Sequence, residues 1–450
     1  MKHKTQTREQ SVAFGLKQRK RMKRVELAEF HPAEHRDAME ALRASCVGRV
    51  KELLPLKFKR MLASPFAFFR GSAPVMAADL ASNKHTNLAC QLGGDAHISN
   101  FGYFATLGDK VIFDMNDFDE TLRGPWEWDV KRMAVSVVLS ARENGGSDAR
   151  IRAILHLFFD QYCDWVRLFS AMPALDVARH RVHRNVNDLV LVGALAKAER
   201  ASPAHNLQKF CIKRDRKWQF RNVRDVLWCV GGKTRKAVLQ ALAAYRETLA
   251  PERQLIFDHY RVADVGFKVV GVGSVGTRDY IVLMFGADEN DPLIMQIKEE
   301  PLSAYAPYLA TAGLSEVELG GTGSFHQGRR VVYGQRALQL LSDPLLGWTT
   351  MDGRDYLVRQ LNDHKYSVDP CELRAGHLEE YVRICAELLA KGHCRSGDPI
   401  AIASYLGNTS KASLNLVKFA FVYAAQVEND YIEFKKAIRS GVLKKIDRST

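Results

Sequence analysis

A chain of 450 residues is too long for one compact core, so two or three domains or lobes are expected. Its 46% hydrophobic and 26% charged residues are those of an ordinary soluble globular protein, and no apolar run reaches the length needed to span a bilayer. The net charge of +14 is uneven: Met1 to Arg24 carry nine Lys/Arg against one Glu, a surplus of 8 that leaves +6 for the rest.

That basic N-terminus has no apolar segment or small-residue cleavage site behind it, so it does not read as a secretory signal. It reads as a solvated arm that could bind nucleic acid or an anionic surface. Eight cysteines without a C-x-x-C pair argue against a structural zinc site and a disulfide framework, and point to a reducing cytoplasm. After the arm, Glu34 to Glu52 has helical periodicity through Met39, Leu42, Val47 and Val50. In the next stretch Phe66, Phe68 and Phe69 are core anchors, and Arg70-Gly71 sits where a turn could present a guanidinium suited to phosphate or carboxylate.

The stretch GDAHISNFG, Gly94 to Gly102, packs Asp95, His97 and Asn100 into six residues, and NDFDE follows at Asn116 to Glu120. Phe104 to Val111, with Gly108-Asp109 at the tip, reads as a β-hairpin. It would bring Asp95 and Asn100 close to Asp114, Asp117 and Asp119, an oxygen-rich set that suits Mg²⁺. Trp126 to Arg142 reads as a helix closed by Gly145-Gly146, with Asp129 near its N-terminus. Helices continue over Ile151 to Phe169, Asn187 to Glu199 and Val223 to Thr248, and the basic cluster Lys213 to Lys217 reads as a solvated turn.

From Val262 the pattern changes to strands on either side of GVGSVG, Gly271 to Gly276. Glycines let backbone N–H groups approach phosphate oxygens without a Cβ in the way. Flanked by strands on both sides, Gly271, Gly273, Ser274 and Gly276 fit a kinase-type glycine loop better than a Rossmann turn. A third strand, LIMQIKEE, carries Lys298. Gly328 to Asp343 reads as another strand and a helix start, in which Arg329, Arg330, Gln335 and Arg336 could line a nucleotide pocket or face solvent. Leu373 to Ala390 and Ser413 to Arg439 are helical, with His393, Arg395 and Asp398 on a loop between them.

G-D-x-H-x-x-N followed by a strand and D-F-D resembles the catalytic loop and metal-binding Asp of aminoglycoside phosphotransferases and the wider protein-kinase-like group. The chain as a whole, from about Ser64 to Tyr431, resembles a bacterial domain family of unknown function grouped with that fold. The order of parts differs, because Asp95 precedes the glycine loop. The resemblance therefore implies an α+β, two-lobed, circularly permuted kinase-like fold with a mostly helical large lobe and a small antiparallel β-rich lobe. The expected divisions are a basic arm and helix over 1–50, a helical lobe with the acidic hairpin over 51–255, a nucleotide-binding β-rich lobe over 256–345 and a helical segment over 346–450.

The function implied is an ATP- and Mg²⁺-dependent phosphotransferase with an unknown hydroxyl acceptor, a small molecule or a protein. Asp95 would act as base with His97 beside it. Asn100, Asp117 and Asp119 would hold Mg²⁺, and Gly271, Gly273, Ser274, Gly276 and Lys298 would cradle the nucleotide. In this group the residue matching Asp129 braces the catalytic loop. The helix acid that should pair with Lys298 is open among Glu299, Glu300, Glu316 and Glu318. The same parts could transfer AMP instead. Two other readings are a non-catalytic nucleotide-binding scaffold and a metal-dependent phosphohydrolase built on Asp95, His97, Asp114, Asp117 and Asp119.

Overall fold

The chain forms a mixed α+β structure whose sheets are all antiparallel. The computed structural model describes residues 6–106, 111–181, 189–314, 325–361, 365–370, 373, 377–407 and 409–441. Thirteen strands lie among them: β1 (Ala89–Leu92), β2 (Phe101–Phe104), β3 (Ile112–Met115), β4 (Leu122–Pro125), β5 (Cys211–Arg214), β6 (Lys217–Phe220), β7 (Leu227–Cys229), β8 (Arg261–Lys268), β9 (Asp279–Phe285), β10 (Pro292–Glu299), β11 (Gly347–Met351), β12 (Arg354–Gln360) and β13 (Tyr366–Ser367).

One core is built around the helix Glu127–Glu143. Nearly every residue of its Glu127–Ala141 stretch is buried, so it is a central helix rather than a surface one. Helices Asp148–Ala171, His377–Ser396 and Thr409–Arg439 pack around it, and Trp126 stacks on Tyr162 at 5.5 Å between ring centroids. The predicted helices over 126–142 and 151–169 therefore form nearly as read.

A second core lies under a six-stranded sheet of order β11-β12-β10-β9-β8-β7. Strands β9 and β10 are buried along nearly their whole length because they are central and covered on both faces, and β9 is apolar from Tyr280 to Phe285. Val265, Val282, Met295 and Ile297 face the helix Gly232–Arg246. Ile281, Leu283 and Ile294 face a smaller cluster with Leu207 and Phe210. This sheet draws its strands from Leu227 to Gln360, on both sides of the 256–345 segment.

Several local expectations are corrected. The basic terminus is a helix, Arg8–Arg21, opened by a Thr7 capping box and packed on the helix Pro399–Leu406. A Cβ on Gly15 would lie 2.2 Å from the Ala401 carbonyl oxygen, so only glycine allows that approach. Arg19 and Arg24 donate to the carbonyls of Tyr405 (2.8 Å) and Leu406 (2.7 Å), satisfying the open end of that helix. Over 34–52 only Ala38–Ala44 is α-helical, since Gly48 turns with φ +79° and the Val50 N–H is taken by the Gly276 carbonyl at 2.7 Å. The 223–248 helix starts only at Gly232, after β7. Lys213 to Lys217 spans a hairpin turn with Asp215 and Arg216 at positive φ.

Gly328 to Asp343 opens with the helix Gln327–Leu338 instead of a strand, because Val331 and Val332 bury against the core while His326 caps the Arg329 N–H. His393 and Arg395 lie within the helix His377–Ser396, and Asp398 caps the next helix. The hairpin strands β2 and β3 pair as expected, Phe101 with Met115 and Phe104 with Ile112, while the Gly108-Asp109 tip lies outside the described residues. Among the described residues no helix is long and apolar enough to cross a membrane.

The Lys391 ammonium reaches the Asp114 carboxylate at 2.5 Å, with both side chains almost fully buried. Removing one partner leaves an unpaired buried charge, which costs about 3–5 kcal/mol. Lys391→Met and Asp114→Asn should each lower stability by that order in urea unfolding, and the double variant Asp114→Leu/Lys391→Met should lose less than either.

Candidate functional site

The acidic segment is held by one carboxylate. Asp129, in the first turn of the helix Glu127–Glu143, accepts the N–H of Gly93 at 2.7 Å and of Gly94 at 2.9 Å, while His393 Nε2 lies 3.3 Å from it. Gly94 has φ +81°, and a Cβ there would meet the Glu120 carbonyl oxygen at 2.1 Å, so this turn requires glycine. From it the chain turns tightly through Asp95 to Asn100, with the Asn100 amide donating to the Asp95 carbonyl at 2.7 Å. The Asn116 N–H then closes on the Asn100 carbonyl at 3.1 Å, and the β2–β3 pairing carries Asp117 and Asp119 to the same place.

Asp95 is fixed by a residue that sequence reading missed. Arg132 Nε donates to Asp95 Oδ1 at 2.5 Å and its Nη2 to the Phe69 carbonyl at 3.0 Å, while the guanidinium lies over the Phe69 ring. The available signal was spacing, since Asp129 and Arg132 share one helical face. His97 Nε2 lies 3.8 Å from Asp95 Oδ2, and its Nδ1 accepts the Ser99 N–H. Burial, and then the charges of Arg70 and Arg132, push the His97 pKa well below its usual value, so the ring is neutral.

Residues from the far end of the chain meet this loop. Asp119 Oδ2 accepts from Ser274 Oγ at 2.8 Å and pairs with the Lys298 ammonium. Burial alone would raise the Asp119 carboxyl, but Lys298 overrides it and holds it well below the usual range. Burial likewise opposes the Lys298 charge and Asp119 restores it, moving that pKa upward. Asp117 moves the other way, raised by burial and by the neighbouring Asp119 charge.

Gly271, Gly273 and Ser274 line a small cavity of about 70 Å³ with Asp95, His97, Asn100, Asp117 and Asp119. Gly276 instead backs onto Arg49, and Lys298 reaches the site through Asp119. Arg70 lines the same cavity, as the sequence suggested it could.

The loop is gripped from outside by cations that no motif announced. Lys57 donates to the carbonyl of Gly273 at 3.0 Å, Arg49 to those of Gly273 and Val275 at 2.9 and 2.7 Å, and Arg60 to that of Gly271. Burial, with Arg49 adding to it, lowers the Lys57 pKa to about 7. On the helix Gln327–Leu338, Arg330 donates to the Asp119 and Thr121 carbonyls at 2.9 and 2.7 Å. That helix carries no acid to pair with Lys298. Glu299 is bound by Arg278 and Arg354, and Glu316 and Glu318 lie outside the described residues.

Among the described residues no three His, Cys, Asp or Glu side chains are grouped as a metal site. The oxygens of Asp117 and Asn100 still fit Mg²⁺ by chemistry, because that ion commonly takes one or two protein oxygens and completes its shell with water and substrate phosphate.

Lys57→Met should expose the loop, seen as faster hydrogen exchange at the amides of residues 271–276. It should also change the pH dependence of stability. The folded chain releases the Lys57 proton near pH 7 while the unfolded chain keeps it to about 10.4, so this group makes stability rise with pH between those values, by at most about 1.4 kcal/mol per pH unit. Thermal unfolding from pH 7 to 9 should show that slope reduced in the variant.

No curated protein and no solved structure matches this chain significantly. A family model matches residues 49–437, a span reaching past both ends of the 64–431 stretch read from sequence, and the chain belongs to that family, described as uncharacterized protein conserved in bacteria (DUF2252).

Proposed function

We propose that this protein is an ATP- and Mg²⁺-dependent phosphotransferase acting on a hydroxyl acceptor, built as a circularly permuted, two-lobed kinase-like fold. The observation that carries the reading is the meeting at Asp119. Ser274 of the glycine loop and Lys298 of β10 both bind a carboxylate set more than 150 residues earlier, beside Asp95, Asn100 and Asp117. The sheet supports it as well, with the glycine loop between β8 and β9, the lysine on β10, and a helix between β10 and β11. Those parts occur in that order in the kinase small lobe.

Asn100 and Asp117 would hold Mg²⁺, which would neutralise charge on the phosphates of ATP, the donor of the γ-phosphoryl group. The bond from phosphorus to the ADP oxygen breaks as that to the acceptor oxygen forms, and the hydroxyl proton passes to Asp95. Arg132 holds one Asp95 oxygen and leaves Oδ2 for the acceptor. Neutral His97 positions this carboxylate and carries no charge. Lys298 and the N–H groups around Gly271 and Gly273 would bind the phosphate oxygens. A phosphohydrolase using Asp114 is disfavoured because that carboxylate is sealed in its pair with Lys391.

Calorimetric titration of Mg·ATP tests this. Asp117→Ala should abolish Mg²⁺-dependent binding with the fold intact. Asp95→Asn should keep binding and slow phosphoryl transfer by about 10²–10⁴-fold, the usual contribution of a positioned base. Equal binding by wild type and Asp117→Ala sinks the reading, and phosphatase activity that survives Lys298→Ala undiminished favours the hydrolase.

A further inference from the structure

Glu300 is a buried carboxyl with only 2% of its surface exposed, and among the described residues neither of its oxygens has a hydrogen-bond partner. Isolated buried carboxyls are expensive, so one that persists calls for an explanation. Its N–H donates to the Asp355 carbonyl at 2.8 Å, extending the β10–β12 ladder by one residue. Side chains two apart on a strand share a face, so Glu300 stands on the same side of the sheet as Lys298.

The other cation close to it is already engaged. Arg330 gives its Nε to Gln327, its Nη1 to the Asp119 and Thr121 carbonyls and its Nη2 to the Pro301 carbonyl. Lys298 differs, since its one carboxylate partner among the described residues, Asp119, belongs to the acidic loop that the phosphotransferase reading assigns to the metal–nucleotide. An ammonium buried this deeply keeps its charge only while an anion stands beside it.

We propose that Glu300 is the second counter-ion of Lys298: when Asp119 turns to the incoming Mg–nucleotide, Lys298 leaves it and is held between Glu300 and the phosphates. The inference rests on the phosphotransferase reading and supplies the acid missing from the helix Gln327–Leu338. Glu300 is then a positioning residue, acting through Lys298. In the resting form Lys298 and Ser274 both hold the Asp119 carboxylate.

The test uses the full chain and calorimetric titration of Mg·ATP. Glu300→Gln keeps the shape and removes the charge. It should weaken binding about tenfold, the order expected for one lost charge-assisted contact, while the Tm stays level or rises. In a Lys298→Met background the same change should have no further effect, because the partner is gone. Unchanged affinity in Glu300→Gln, an equal loss in both backgrounds, or a fall in Tm that accounts for the lost binding overturns the proposal. A wild type that binds no Mg·ATP overturns the phosphotransferase reading itself, an outcome that differs from all three.

Discussion

The Asp119 carboxylate is where two distant parts of the chain become one site. Lys298 from the centre of the six-stranded sheet and Ser274 from the glycine loop converge on one oxygen, and Arg330 holds the backbone beneath it. Neither charge would be tolerable alone at this depth. Burial pushes each toward its neutral form, and the partner's field restores it. The ion pair thus makes the acidic loop and the sheet mutually dependent. It also leaves Asp117, close by in the chain, raised by burial and by the Asp119 charge, with Lys298, Lys365 and Arg359 opposing that rise.

A second set of contacts determines how this site can open. The glycine loop has its carbonyls bound by Arg49, Lys57 and Arg60, all from the segment that precedes the acidic hairpin. Glycine gives the loop its turns at Gly271 and Gly276, but the cations decide where those turns rest. Moving this loop would break several hydrogen bonds, so its position is coupled to the segment that carries Arg49, Lys57 and Arg60.

Asp129 shows how the rigid half of the site is made. A carboxylate at a helix start accepts two consecutive N–H groups of a glycine turn, and His393 and Tyr162 complete the chain of contacts within the helical core. Arg132, one turn further on, fixes Asp95. One helix thereby positions both the backbone and the side chain of the acidic segment.

The local patterns were readable because they are short-range. The Asp95–Asn100 step, the β2–β3 hairpin and the two long helices after it follow from side-chain periodicity and turn chemistry within about twenty residues. So did the strand character of β8, β9 and β10 and the place of Lys298 on the last of them. Reading failed where a distant contact outweighs local preference. The 34–52 helix yields to the hydrogen bond from Val50 to Gly276, and two valines that read as a strand at 331–332 turn helical against the core. The basic terminus folds because its arginines find the open carbonyls of the helix Pro399–Leu406. Local pattern alone gave a helical block followed by strands, an oxygen-rich acidic loop and a separate glycine loop. That Lys298 faces Asp119, that Arg132 holds Asp95 and that Glu300 is buried without a partner were decided by tertiary structure, since the energy of a buried charge depends on what lies across space from it and no spacing along the chain encodes that.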